Sequence, residues 1–428
     1  MSKTAFNPHT YAEHMRTTGL VASDGTILWR WKRTHWIPYP ETDGERHAYR
    51  YLVQHDPDHV SADYARKCYA AAVRWVDPLP KPPTNQVILP LLNGCLHLVG
   101  NAFVLRPHDK ALGLQHVIEC GYDQNAAEPK RFLAFLDRVL PDPAVRARVQ
   151  EYIGYTFLPD ARFQRAQFWQ GDGANGKGVL ANITQALHHH CAAVQLDNLS
   201  GFKLAGLVGA SLIYCDEAPQ RRMEEQLLKS LIAGEAVQVD RKFRDPLTLR
   251  VSAKWIVLAN HFPAISDQSG GFWRRWDIVP FSVTIPEPER EPLLAETIIK
   301  HELSGVLNWA IDGLLRLLRR GAFEVVLPAP MQQLLCQAKT ETNSVMAWYG
   351  ASGCSLSPQA RTRKVAVYDH YAQWCRDNGM APVASPRFWK RLAEVAGGPV
   401  LGERVRVADG TQPRMCNIQL PLELGLAA

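Results

Sequence analysis

Between Arg165 and Phe281 short apolar runs recur at intervals, each bounded by turn residues and most followed by a stretch of helical periodicity. The runs are "RAQFWQ", "AAVQL", "ASLIYC", "KWIVLA" and "WDIVPF". Runs that are apolar throughout suit strands covered on both faces, and strands alternating with helices predict a mostly parallel sheet between helical layers. Upstream, "SADYARKCYAAAVRWV", "PKRFLAFLDRVL" and "PAVRARVQEYIGYTF" carry apolar residues at helical spacing, whereas "DGTILWRWKRTHWIPYP" and "NGCLHLVGNAFVLRPH" read as hairpins. The segment "DPLPKPPTNQVILP", with five prolines in fourteen residues, cannot continue a helix and predicts a boundary. Downstream, "LLAETIIKHELSGVLNWAIDGLLRLLRRG" predicts one long helix. The expected organisation is a small α+β region over 1–80, a helical region over 81–160, an α/β domain over 161–330 and a last module over 345–428.

Composition changes this picture little. Of 428 residues, 46% are hydrophobic and 21% charged, as in ordinary globular chains, and a net charge of +6 requires any nucleic-acid surface to be local. The nine cysteines are scattered without a C-x-x-C pair, the pattern of reduced thiols in a cytoplasm. No signal-like or membrane-spanning apolar run is present in the sequence, so a soluble, cytoplasmic protein without a membrane partner is expected. His188, His189, His190 and Cys191 are consecutive; on a helix they point to different sides, which argues against a zinc site.

The chemistry is concentrated in the α/β domain. "GDGANGKG", Gly171 to Gly178, contains the G-x-x-x-x-G-K spacing, with a predicted strand entering and a predicted helix leaving. Gly171, Gly173 and Gly176 let backbone N–H groups turn toward phosphate oxygens across Asp172, Ala174 and Asn175, and Lys177 would reach the β- and γ-phosphates. Gly178 and Val179 stand where a hydroxyl is usual. Some forty residues on, "LIYCDEAP" ends a buried strand in Asp216 and Glu217, which suit a magnesium ligand and a group that orients the attacking water. "KWIVLANHFPAI" ends a further strand at Asn260, and "GGFWRRWDIVPF" offers Arg274 and Arg275 on a glycine-flanked turn.

In this order "GDGANGKG", "LIYCDEAP", "LLKSLIAGEAVQVDRKFRDP", "WIVLANHFPAI" and "GFWRRWDIVPF" resemble a superfamily 3 helicase of the phage, plasmid and poxvirus primase-helicase kind. The resemblance covers roughly residues 90 to 330 and continues more weakly to about 420. It implies a P-loop, AAA+-like motor of parallel sheet and helices. Such motors hydrolyse ATP with Mg2+ between the subunits of a homo-oligomeric ring, usually a hexamer, and translocate on single-stranded DNA. Lys177 would bind phosphate, Asp216 magnesium, Glu217 would activate water and Asn260 would sense the γ-phosphate. Arg275 is the first candidate for the arginine offered to a neighbour's nucleotide and Arg274 the second. Arg241, Lys242 and Arg244 would lie on a hairpin in the ring's channel and contact the strand; the bland reading of such a run is a solvated turn.

Gly178 departs from the family by lacking the magnesium-binding hydroxyl, so water and Asp216 would complete the shell. The residues before the motor carry only scattered acids such as Asp56 and Asp58, which predicts a helicase without its own primase domain, served if at all by a separate primase. In "LWRWKRTHWIPY" the interleaved Trp29, Arg30, Trp31, Lys32, Arg33 and Trp36 suit stacking on bases or, more commonly in a hairpin, packing. Between Arg361 and Arg414 ten basic residues face five acidic ones. "KVAVYDHYAQWCRDNG" and "SPRFWKRLAEV", with Ser as cap, predict two helices before the hairpin "VRVADGTQPRMCNIQL". That order suits a winged helix, with Arg387, Lys390 and Arg391 along one side of its second helix to bind duplex origin DNA. The rival readings are an ATP-binding regulator or assembly factor, and a replication initiator that binds DNA without unwinding it.

Overall fold

The computed structural model describes residues 5–199, 204, 206–218, 223–241, 244–262, 265, 270–378, 380–406 and 411–421. The chain begins with α1 (His9–Thr17), the antiparallel strands β1 (Val21–Ser23), β2 (Leu28–Trp31) and β3 (Trp36–Tyr39), then α2 (Glu41–His55) and α3 (Ala62–Trp75). Tyr11, Met15, Leu28, Leu52, Cys68 and Tyr69 close a small core of their own. The proline-rich segment that follows is held against β1: the Ser23 N–H donates to the Asp77 carbonyl and the Leu79 N–H to that of Ser23.

A second antiparallel sheet, β4 (Ile88–Leu91), β5 (Gly94–Val99) and β6 (Ala102–Arg106), precedes α4 (Lys130–Val139) and α5 (Pro143–Thr156). Asp142 caps α5, accepting from the Ala144 and Val145 N–H groups ahead of the fixed φ of Pro143.

The central sheet contains the five apolar runs: β7 (Ala166–Gln170), followed by α6 (Lys177–Ala186), then β8 (Cys191–Ala193) and β9 (Leu212–Cys215). After α7 (Glu225–Ile232) an antiparallel hairpin of β10 (Ala236–Arg241) and β11 (Arg244–Arg250) intervenes before β12 (Lys254–Ala259), α8 (Gly270–Trp273) and β13 (Trp276–Pro280). The strands lie in the order β13-β7-β12-β9-β8 and every pairing is parallel. Their side chains alternate between two cores, Trp169, Ile256, Leu258 and Val279 on one face, Phe168, Trp255, Val257 and Ile278 on the other. α4, α5, α6 and the long α9 (Leu294–Arg320) cover the first face; α7 and α10 (Ala329–Thr342) cover the second.

The expected boundary at 160 does not coincide with a break in packing, because one apolar cluster runs from Leu89 through Phe135 and Tyr152 to Trp169 and Leu307. A buried ion pair reinforces it. Arg148 of α5 donates to both carboxylate oxygens of Asp277 on β13, at 2.6 and 2.9 Å, and Arg165 adds a bond of 3.3 Å. Asp277 is fully buried, so removing a partner would leave an uncompensated charge at a cost of about 3–5 kcal/mol.

The last module comprises α11 (Ser344–Ala351), β14 (Ser355–Leu356), β15 (Thr362–Arg363), α12 (Lys364–Asp377), α13 (Ser385–Val395), β16 (Gly402–Arg404), β17 (Arg414–Cys416) and β18 (Ile418–Gln419). β15, β17 and β16 form an antiparallel sheet in that order, and β14 pairs with β18. Val345 and Trp348 of α11 pack with Tyr371, Phe388 and Leu392, so the module starts with α11, which Asn343 caps. The expected Ser cap of α13 is not formed: Ala384 precedes the helix, and the Ser385 hydroxyl instead accepts from the Trp389 indole N–H at 3.2 Å. Among the described residues no helix is long and apolar enough to cross a membrane.

Candidate active site

In an open parallel sheet the loops at the carboxyl ends of the strands converge, and here they carry the polar residues singled out above. The loop after β7 is stapled to its neighbours. The Gly171 N–H donates to the Ala259 carbonyl at 3.1 Å, the Ile285 N–H to Ala174 at 2.8 Å, and the buried Asn175 amide to the Phe281 carbonyl at 3.0 Å. Gly173, Ala174 and Gly176 take φ values of +93°, +48° and +85°, left-handed turns of the kind that gather successive N–H groups into a concavity. At Gly176 a Cβ would also stand 2.7 Å from a Val139 methyl, so both backbone and space demand glycine. α6 then starts at Lys177, and its first-turn N–H groups lack intrahelical acceptors.

Lys177 is buried at 7% exposure. Its ammonium donates to the Gly171 carbonyl and, at 3.3 Å, to the Asn260 side-chain oxygen at the end of β12. Burial lowers its pKa and the carboxylate of Asp172 opposes that shift. Gln170 completes the link from β7, donating to the Asn260 carbonyl at 3.2 Å. Asp216 and Glu217 follow β9 and are exposed, and the Ala218 N–H donates to the Leu258 carbonyl at 3.0 Å, which keeps this turn beside β12. The strand order therefore brings the phosphate loop, Asn260 and the acid pair onto successive neighbours β7, β12 and β9. Gly178 is exposed and a Cβ there would meet nothing within 4 Å: the first turn of α6 lacks a hydroxyl but has room for one.

Two sequence expectations need correction. Arg275, the first candidate for an arginine acting on a neighbour, is only 8% exposed; its guanidinium donates to the Gly271 carbonyl and its Nε is buried without a partner. Burial, then the adjacent Arg274, lowers its pKa. Arg274 is the exposed member of the pair. In α13, Arg387 and Lys390 are exposed but Arg391 is buried, with its pKa lowered first by burial, and Glu225 of α7 is among the charges acting on it. Helical spacing turns Arg391 inward beside Phe388 and Leu392, so it does not share the open side of Arg387 and Lys390.

Arg241 and Arg244 pair at the end of the β10–β11 hairpin; Lys242 lies outside the described residues. Among the described residues no group of histidine, cysteine or acidic side chains could hold a metal ion, and the His188–Cys191 run forms none. Sequence reasoning missed Gln170, and it placed Asn175 in the loop without the anchoring role of its amide. For Gln170 the signal was a polar residue at the end of an apolar run; for Asn175 it was an amide between the glycines of the loop.

A sequence family described as "Family of unknown function (DUF5906)" matches residues 169–275, from β7 through the arginine turn. A protein of Invertebrate iridescent virus 3 whose name carries a helicase assignment, 121R, is 23% identical over 245 residues, 48% of this chain. The chain spans about a quarter of that relative's length, 26%. Among solved structures, two of the NrS-1 C-terminal region match 97% of this chain and 100% of theirs. The TM-scores are 0.57 and 0.54, at 11% and 12% identity. At that identity the likeness is one of fold, and it extends over nearly the whole chain.

Proposed function

We propose that this chain is an ATP-dependent DNA helicase of superfamily 3, built as a ring, with a hexamer as the expected assembly, and moving along single-stranded DNA. The observation that carries the reading is the Lys177 ammonium held between the phosphate loop and Asn260, with Asp216 and Glu217 on the next strand. A loop of left-handed residues opening onto a helix N-terminus fits the phosphates of ATP. The space over Gly178 fits hydrated Mg2+, with Asp216 as the protein's ligand and water in place of the missing hydroxyl. When bound, the ion screens the charge of the transferred phosphoryl group.

Lys177 holds the phosphates, and Asn260 fixes the Lys177 ammonium while facing the γ-phosphate. Glu217 orients the attacking water and accepts its proton. Arg274, exposed on its turn, completes the site of the adjacent subunit. Arg241, Lys242 and Arg244 grip the strand from the β10–β11 hairpin. The order helix, strand, helix, helix, strand, strand in α11, β15, α12, α13, β16 and β17 supports a winged helix, with Arg387 and Lys390 toward duplex DNA.

Gly178 favours a second reading, a nucleotide-binding initiator that does not turn over. The discriminating experiment measures nucleotide binding and hydrolysis in two variants. Lys177→Ala should lose ATP binding, whereas Glu217→Gln should bind ATP as the unmodified protein does and hydrolyse it at least about 100-fold more slowly, the scale of one acid–base group. Unchanged hydrolysis in Glu217→Gln would remove the assignment; no hydrolysis in the unmodified protein would favour the second reading.

A further inference from the structure

The β2–β3 hairpin lies far along the chain from the nucleotide loop, and the helicase reading leaves it without a role. Its register sorts its residues. Leu28 faces Tyr39 and Arg30 faces Ile37 on one side of the sheet; Trp29 faces Pro38 and Trp31 faces Trp36 on the other. Leu28, at 0% exposure, and Tyr39, at 8%, belong to the N-terminal core, so the opposite side carries three tryptophans that this core does not need.

Packing accounts for one of them. Trp36 is 3% exposed, with its indole N–H donating to the Lys110 carbonyl at 2.8 Å and its backbone N–H to that of Leu114. Trp29 and Trp31 stay partly exposed. Trp31 rests on Trp36 with ring centroids 5.5 Å apart, and the Trp29 indole is tied to Asp24 at 2.9 Å, which fixes the ring without burying it.

Near these rings are the exposed cations Lys32 and Arg33, in the turn that joins β2 to β3, and Lys110, whose carbonyl holds Trp36; Arg30 lies on the opposite side of the sheet, over the Tyr39 ring. Lys110 donates to the Gly19 carbonyl, yet among the described residues none of the three forms an ion pair with a carboxylate. Two acids near in sequence are occupied: Asp24 accepts from Thr26, Ile27 and Trp29, and Asp109 from the Ala111 N–H. Arg33 has φ +71°, a conformation that glycine adopts at less cost, so an arginine there is accounted for by its side chain and not by the turn.

Fixed, partly exposed indoles beside cations that have no carboxylate partner are complementary to a strand that presents bases and phosphates by turns. We infer that the β2–β3 hairpin is a second contact for single-stranded DNA, with Trp29 and Trp31 stacking on bases and Lys32, Arg33 and Lys110 holding phosphates. The inference rests on the strand-translocating reading and adds a surface outside the β10–β11 hairpin.

The test is fluorescence anisotropy of a labelled oligothymidylate over a range of salt, with full-length Lys32→Ala/Arg33→Gly/Lys110→Ala; the glycine suits the left-handed backbone at position 33. Loss of three phosphate contacts should lower the slope of log affinity against log salt by about 2, at about 0.7 per contact on a single strand. Trp31→Ala should weaken binding about 5- to 100-fold with the slope unchanged, and Trp31→Phe should restore most of it. ATP hydrolysis without DNA should stay the same in all three. A wild-type slope in the triple variant would overturn the inference. So would loss of binding to phosphatidylserine vesicles with oligothymidylate binding intact, which would reassign the surface to a membrane. If the hairpin variants lose affinity as expected but DNA never stimulates hydrolysis in the unmodified chain, the motor reading fails and the hairpin contact stands.

Discussion

Arg274 and Arg275 are neighbours in sequence with opposite surroundings. A residue that completes a neighbouring subunit's site must be reachable from outside its own fold, and only Arg274 is. Arg274→Ala should therefore lower kcat by about 10³–10⁵, the range for an arginine finger, while leaving the melting temperature unchanged. Mixed with Lys177→Ala protein it should regain part of the activity, because some shared interfaces would combine an intact pocket with an intact arginine. Absence of recovery in mixtures whose assembly is verified would count against Arg274. Residue types and their order were readable here from the sequence, as they were for Lys177, Asp216, Glu217 and Asn260. Exposure was not: adjacent arginines on a turn give no periodicity from which to tell the inward from the outward one, and Arg391 was misjudged for a related reason, its place on the helix being clear but not the element that covers it.

At the scale of elements, the five strands were legible because each is predominantly apolar, a pattern with few alternatives between turn residues. α1 and α2 were not. α1 buries only Tyr11, Ala12 and Met15, and α2 places Gly44 in its first turn. That glycine lowers helix propensity, but a Cβ at Gly44 would stand 2.3 Å from the Tyr69 ring, so tertiary contact overrides propensity.

A second tertiary feature invisible in sequence is the meeting of His35 from the β2–β3 hairpin, His116 from the segment after β6, and His188 and His189 between α6 and β8. The His35 and His189 rings are 5.5 Å apart, and His188 pairs with the Thr156 hydroxyl at 3.0 Å. Burial, with smaller repulsion between the rings, depresses His35 to about 4 and His116 and His188 to about 3, from 6.5. These groups stay neutral in the fold and protonate in the unfolded chain below about 6.5. Their contribution is complete above that pH and is lost as pH falls toward the folded values. The melting temperature should thus decline between about pH 6.5 and 4, and His116→Gln should flatten the decline. A decline of equal steepness in His116→Gln would place the acid sensitivity elsewhere.

On the scale of the whole molecule, the proposed function gives the loop after β7, the β10–β11 hairpin and the C-terminal module separate tasks, and α5 and α9 brace the central sheet from one side. Since α11 belongs to the C-terminal core, a cut that respects packing falls after Thr342. Removal of residues 343–428 should weaken duplex binding at least tenfold and spare hydrolysis stimulated by single strands. The central claim, that strand binding drives an ATP cycle built on Lys177 and Glu217, is tested most directly by the rate of ATP hydrolysis in the full chain with and without saturating single-stranded DNA. Stimulation of at least about tenfold, absent in Glu217→Gln, is the result the account predicts; ATP hydrolysis indifferent to DNA in an assembled ring would contradict it.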